Sequence, residues 1–236
     1  MPDRRLPTLD LKRNYDRVRN EIREAVDKVL ESQHFILGPE VKAFEAEVAS
    51  TLGVPVAVGC ASGTDALILS LMALNVRPGD EVITTPYSFF ATASCITRVG
   101  ARPVFADIDP DTYNFKVDHV LEKITPKTRA VIPVHLFGQM VPLETLAPEL
   151  RSRGIALVED TAQAFGAVRQ VGGEIQRAGG VGDVGCISFF PTKNLGAYGD
   201  GGMITSTRED LAKNLKSLRV HGSTATYFHD TVGINS

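Results

Sequence analysis

The sequence predicts an α/β fold, a mainly parallel sheet lying between helices. From Val54 onward, apolar segments alternate with helical ones in the order strand, turn, helix, strand, which is the rhythm of such sheets. Runs such as VIPV (131–134) and IALV (155–158) are apolar without alternation, as strands covered on both faces should be. The 236 residues suffice for one large domain of this class.

Residues 1–12 are polar, carry Pro2 and Pro7, and are expected to form an N-terminal arm ahead of a large domain over 13–236. Over 14–32, Val18, Ile22, Ala25, Val26, Val29 and Leu30 recur at the spacing of one helical face. Gly38-Pro39 restarts a helix, with proline suited to its first position. Val41, Phe44 and Val48 line one side of it, and Gly53 is placed as a C-cap. Residues 54–59 read as a strand and 63–75 as a largely apolar, buried helix. Further strands are expected at 81–85, 103–107, 129–134, 155–159, 184–190 and 202–206. Helical stretches near 91–99, 116–123, 143–153 and 208–220 separate them. No internal repeat or low-complexity segment interrupts the pattern.

Apolar residues make up 43% of the chain and charged residues 22%, an ordinary globular balance. A net charge of −3 argues against nucleic acid or an anionic membrane as a main partner. Cys60, Cys95 and Cys186 are scattered and read as buried thiols in a reducing compartment, not as a disulfide frame or zinc site. The opening MPDRRLPTLD has no apolar run of the secretory kind, and the longest apolar stretch, near 66–74, is too short to span a bilayer. A cytoplasmic location and no metal are expected.

Two strand ends carry the chemistry. The strand expected at 184–190 is stopped by Pro191, and Lys193 follows in a loop containing Gly196, Gly199, Gly201 and Gly202. Alone, this lysine reads equally as a solvated charge in a long turn. Upstream, IALVEDTAQ (155–163) delivers Asp160 to the end of another strand, where it can also serve as a helix N-cap. Sites in open α/β sheets form at the carboxyl ends of the strands. An amine and an acid so placed suit pyridoxal phosphate. The lysine condenses with the cofactor aldehyde, and the carboxylate keeps the pyridine nitrogen protonated, so that the ring accepts electrons from a carbanion.

Ser62, with Asp65 three residues on, reads as a capping box. The same helix start, with free N–H groups and Gly63 allowing close approach, is a ready phosphate site, and both roles can hold at once. No G-x-G-x-x-G follows this strand, so a dinucleotide fingerprint is absent. His135 reads either as a hydrogen-bonded structural residue or as a group behind the ring.

Five stretches, FILGPEVKAFE (35–45), ASGTDAL (61–67), TPYSFFATA (85–93), EDTAQAFGA (159–167) and SFFPTKNLGAYGDGG (188–202), together resemble the DegT/DnrJ/EryC1/StrS family of sugar aminotransferases. These are pyridoxal 5'-phosphate enzymes of the aspartate-aminotransferase fold type, fold type I, and the likeness runs from about Leu6 to Ser236. The resemblance implies that Lys193 holds the cofactor, Asp160 faces its ring nitrogen, and Gly63, Thr64 and Ser188 take its phosphate. It implies that Phe89, ahead of Phe90, stacks on the ring, and that Gln163 bonds the ring hydroxyl. His221-Gly222 and 233–235 resemble the family's HG and GxN segments, so Asn235 is expected to act in trans on a partner's phosphate in a homodimer. The implied reaction moves an amino group, from glutamate in most relatives, to a nucleotide-linked keto-sugar. Relatives continue into a small C-terminal domain, which this chain is expected to lack. Two alternatives remain: a sugar dehydratase of the same family, in which histidine replaces the lysine, and a non-catalytic regulatory or scaffold relative.

Overall fold

A computed structural model describes residues 8–236 in two units, one ending at Phe44 and a larger one, Glu45–Ser236. In the first, α1 (Leu11–Ser32) starts where Asp10 accepts from the Lys12 N–H at 3.1 Å. The arm expected over 1–12 falls largely on 1–7, outside the described residues, and the chain is already helical at Leu11. The apolar positions of α1 share a face, but no residue of this helix is buried. Helix α2 (Pro39–Leu52) begins at the expected proline, and its buried positions are Val48 and Leu52.

The larger unit continues with β1 (Val56–Cys60), α3 (Gly63–Ala73), β2 (Glu81–Thr84), α4 (Phe90–Arg98), β3 (Arg102–Phe105), α5 (Val117–Glu122) and β4 (Thr128–Val131). Then come α6 (Leu146–Ser152), β5 (Ala156–Asp160), β6 (Val168–Val171), β7 (Glu174–Arg177), β8 (Val184–Ser188), β9 (Gly202–Ser206) and α7 (Ala212–Leu218). Two short strands, β10 (Ser223–Ala225) and β11 (Phe228–His229), close the list. Seven strands form one sheet in the order β1-β9-β8-β5-β4-β2-β3. As expected it is mainly parallel, and only β9 runs antiparallel to its neighbours. The β6–β7 hairpin was not foreseen. Its turn is Gly172-Gly173, both at positive φ (56° and 89°), which the two-residue turn between twisted strands requires.

Alternation along each strand decides which face each side chain meets. Val58, Val82, Ala130, Val158, Cys186 and Ile204 pack with Leu67, Leu71, Ile96 and Leu215 under α3, α4 and α7. Their sequence neighbours Ile83, Val131 and Leu157 face Val120, Leu146 and Leu150 of α5 and α6 on the other side. Ala57, Ile187 and Met203 meet Val48 and Leu52 of α2. Fully buried side chains such as Leu69, Ile96 and Leu150 each contribute about 1.5–3 kcal/mol.

The same alternation sends Asp160 toward α4 and Glu159 to the opposite face. Glu159 is fully buried there. Its Oε2 accepts from His135 Nε2 (2.8 Å) and the Gly179 N–H (3.1 Å), and its Oε1 from the N–H groups of Val181 (2.8 Å) and Gly182 (2.7 Å). His135 Nδ1 accepts from the Val141 N–H at 3.0 Å, which leaves the ring proton on Nε2. His135 is thus a structural residue tying the end of β4 to β5. Burial alone would raise the Glu159 carboxyl, but His135 and the Gly182 and Val181 N–H groups hold it below the usual carboxylate range. A carboxyl held low stabilises the fold above its ordinary titration range, and that contribution is lost as pH falls through the folded value. Glu159→Gln should therefore cost about 2–3 kcal/mol in urea unfolding at neutral pH. The difference from wild type should shrink under acid conditions, and a pH-independent difference would contradict the assignment.

Candidate active site

Strand β5 ends in Asp160, and the parallel pairing of β5 with β8 sets Asp160 beside Cys186, two residues before Ser188. Both side chains lie on the α3–α4 side of the sheet, at the carboxyl ends of their strands. Asp160 is only 5% exposed. Its Oδ2 accepts from the Thr92 hydroxyl (2.8 Å) and its Oδ1 from the Ala162 N–H (3.2 Å). The Thr92 oxygen in turn lies 2.9 Å from Ser88 Oγ, so a relay from the start of α4 ends on the carboxylate. Burial pushes the Asp160 carboxyl above its ordinary range, and Thr92, Ala162 and the nearby Lys193 only partly offset this. No helix follows Asp160; Oδ1 holds a turn, so the aspartate is not a helix cap.

Lys193 follows β8 in a tight loop. Its N–H donates to the Phe190 carbonyl (2.8 Å), and the Ala197 N–H to the Phe189 carbonyl (2.7 Å). Asn194 Nδ2 donates to the Phe165 carbonyl at 2.6 Å, fastening the lysine loop to the turn after Asp160. Phe165 and Phe189 pack edge to face beneath it, with ring centres 6.3 Å apart.

Helix α3 closes a third side. Ser62 caps it, its Oγ accepting from the Asp65 N–H at 3.1 Å. The return half of a capping box is missing, because the Asp65 carboxylate accepts instead from the Ser236 hydroxyl at 2.9 Å. A Cβ on Gly63 would stand 2.6 Å from Ser188 Cβ, so only glycine lets the helix start approach the end of β8 this closely.

These elements surround a cleft of about 340 Å³. Gly63, Thr64, Phe89, Asp160, Gln163, Ser188 and Lys193 all line it, and Phe90 does not. Gln163 Oε1 accepts from the Phe137 N–H at 3.3 Å, leaving its Nε2 to donate. Among the described residues, no three His, Cys, Asp or Glu side chains converge to hold a metal.

The profile of the DegT/DnrJ/EryC1/StrS aminotransferase family matches residues 16–236. The chain belongs to this family. A "pleiotropic regulatory protein" of Geobacillus stearothermophilus is 47% identical over 98% of this chain and 61% of its own length. A UDP-N-acetyl-3-dehydro-alpha-D-glucosamine 3-aminotransferase of Acidithiobacillus ferrooxidans is also 47% identical, over 98% of this chain and 62% of its own. The structure of S. venezuelae DesV in complex with a ketimine intermediate superposes with a TM-score of 0.92 at 41% identity, covering 98% of this chain and 61% of that one. The chain thus spans about three fifths of the length of these family members.

Of the family residues expected from the sequence, Asn235 lies outside the cleft. It is exposed beside a separate hollow that includes Asp65, Met72 and Arg98. The HG and GxN segments pair with each other, the His221 N–H donating to the Ile234 carbonyl at 3.0 Å. Thr92 and Ser88 were missed. They sit in the quoted TPYSFFATA stretch, but nothing local says that a helix hydroxyl will meet a carboxylate 68 residues away. Among the described residues no helix is long and apolar enough to cross a membrane. Thr92→Val should push the Asp160 carboxyl higher still, and Thr92→Ser should restore it, as read by carbon-detected titration of that side chain. An unchanged titration in Thr92→Val would show that the hydroxyl does not govern the acid.

Proposed function

We propose that this chain is the cofactor-binding large domain, over 13–236 with an arm at 1–12, of a pyridoxal-phosphate-dependent aminotransferase acting on nucleotide-linked keto-sugars. The observation that carries the reading is that Lys193 and Asp160 share one cleft at the carboxyl ends of adjacent parallel strands. The residues present fit the cofactor. The close approach of Gly63 to Ser188 is a cradle that a Cβ would fill. The N–H groups of Gly63 and Thr64, with no partner inside the helix, and the Ser188 hydroxyl would hold the phosphate. Phe89, 73% exposed on the cleft wall, would cover a ring face, and Gln163 Nε2 would bond the ring hydroxyl.

Bound there, pyridoxal phosphate supplies an electron-accepting ring that stabilises the charge left when a C–H bond beside nitrogen breaks. Lys193 Nζ would anchor the group and would hold the proton moved to and from that carbon. Asp160, raised by burial, would hold the ring nitrogen of the group as its partner. The name of the Acidithiobacillus relative supports a UDP-linked sugar as the class of acceptor. Glutamate as donor, a cytoplasmic setting, and a homodimer in which Asn235 reaches the partner's cofactor phosphate complete the proposal.

The name of the Geobacillus relative favours a second reading, a regulatory protein that keeps the fold. The Lys193–Asp160 pair stands against it, because a scaffold has no use for a buried acid that shares a cleft with an amine. Lys193 also stands against the dehydratase reading. Lys193→Ala and Asp160→Ala should each lower amino transfer from glutamate to UDP- or dTDP-linked keto-sugars by more than about 10²-fold, with circular dichroism unchanged. A merely twofold loss in either variant would remove that residue from the mechanism.

A further inference from the structure

We infer that Tyr87, Tyr113 and Phe137, an exposed aromatic cluster at the rim of the cleft, form a stacking site for the substrate's nucleobase; this rests on the sugar-nucleotide reading above. The three rings come from loops that follow β2, β3 and β4, neighbours in the sheet, so the loops emerge side by side at its carboxyl edge. The Tyr87 and Tyr113 rings stack with centres 5.7 Å apart at 27°, and Phe137 meets Tyr113 edge-on at 6.5 Å and 82°. The residues are nevertheless 45%, 46% and 69% exposed. A cluster whose only role was packing would turn its ring faces inward.

The rings are also held in place. Tyr113 and Phe137 sit at φ 60° and 55°, left-handed backbone that bulky side chains rarely adopt and that gathers at ligand sites. The Tyr113 N–H donates to the Asp109 carbonyl at 2.8 Å. The Asp109 carboxylate accepts from the N–H groups of Asp111 (2.9 Å) and Thr112 (3.0 Å). Next in the chain, buried Asn114 donates through Nδ2 to the Met140 carbonyl at 3.4 Å, pinning this loop to the segment beyond Phe137. The Phe137 N–H is taken by Gln163, which lines the cleft. The cluster is thus preformed and adjoins the cleft through Gln163 and through Ser88 and Leu136, the cleft-lining neighbours of Tyr87 and Phe137.

Exposed, fixed rings offer stacking area, and every nucleobase has a face to stack. In a nucleotide-linked sugar the base and the reacting carbon lie at opposite ends, separated by ribose and diphosphate. With the sugar carbon at Lys193, the base belongs at the rim and not on the floor. The competing occupant is a second copy of the chain lying over the rings.

The test is equilibrium dialysis of the whole chain, loaded with pyridoxal phosphate, against UDP and dTDP, with inorganic pyrophosphate as a base-free control. Phe137→Ala and Tyr113→Ala should each weaken UDP binding by about tenfold or more and leave pyrophosphate binding unchanged. Phe137→Tyr and Tyr113→Phe should bind as the wild type does. Tyr87→Ala, at a position of ordinary backbone, should show the same selective loss even if the left-handed positions do not tolerate alanine. The inference is overturned by a wild type that binds neither nucleotide, by unchanged UDP binding in folded Tyr87→Ala, or by an equal loss of pyrophosphate. Sedimentation showing that the variants dissociate a dimer while UDP binding stands would assign the rings to the second copy, again overturning it. Selective loss of UDP in a chain that transfers no amino group would sustain the base site and sink the aminotransferase reading. Active transfer with an unchanged KM for the sugar nucleotide in all three alanine variants would do the reverse.

Discussion

A carboxyl group kept out of water at the tip of β5 sets the terms for everything around it. Burial penalises its charge, so neighbours must supply donors, and the Thr92 hydroxyl and Ala162 N–H do so. That requirement fixes where α4 starts relative to the sheet, and with it Ser88 and Phe89, which share the loop. Strand alternation does the rest. A slip of one residue in β5 would exchange Asp160 with Glu159, leaving the wrong acid toward the cleft and breaking the His135 and Gly182 bonds behind it. The two adjacent acids therefore have separate tasks set by opposite environments: Glu159 is held low by donors, and Asp160 is raised by burial.

The amine arrives by a different route. Its loop is shaped by backbone bonds around Phe189 and Phe190 and tied through Asn194 to the turn that follows Asp160. Acid and amine are thus positioned by one connected piece of backbone. The start of α3 is brought against β8 by the absence of a side chain at Gly63. The glycine start of α3, the acid, the amine and the exposed aromatic rings all lie along a single edge of the sheet, on segments that follow β1, β5, β8 and the β4-β2-β3 group.

The sequence made the parallel core legible because unalternating apolar runs have one economical explanation, strands covered twice. It pointed to Lys193 and Asp160 together because Asp160 ends such a strand and Lys193 lies in the loop that follows another. It did not reveal the direction of β9, since a strand buried on both faces reads the same either way. The β6–β7 hairpin carried a signal in Gly172-Gly173, but charged flanks such as Arg169 and Glu174 masked the alternation. The apolar face of α1 was read correctly as a face, yet periodicity says nothing of what covers it. Thr92, Asn194 and the His135–Glu159 pair act through partners distant in the chain, and local pattern cannot supply those. Asp65 looked like half of a capping box until Ser236 claimed its carboxylate.

The most direct measurement is borohydride reduction of the chain loaded with pyridoxal phosphate, followed by peptide mapping, on wild type and Asp160→Ala. A pyridoxyl label confined to Lys193 is the expected result, with a ring-nitrogen signal that changes from protonated to neutral when Asp160 is removed. A label spread over other lysines, or a ring nitrogen indifferent to Asp160, would contradict a shared cleft for the two residues.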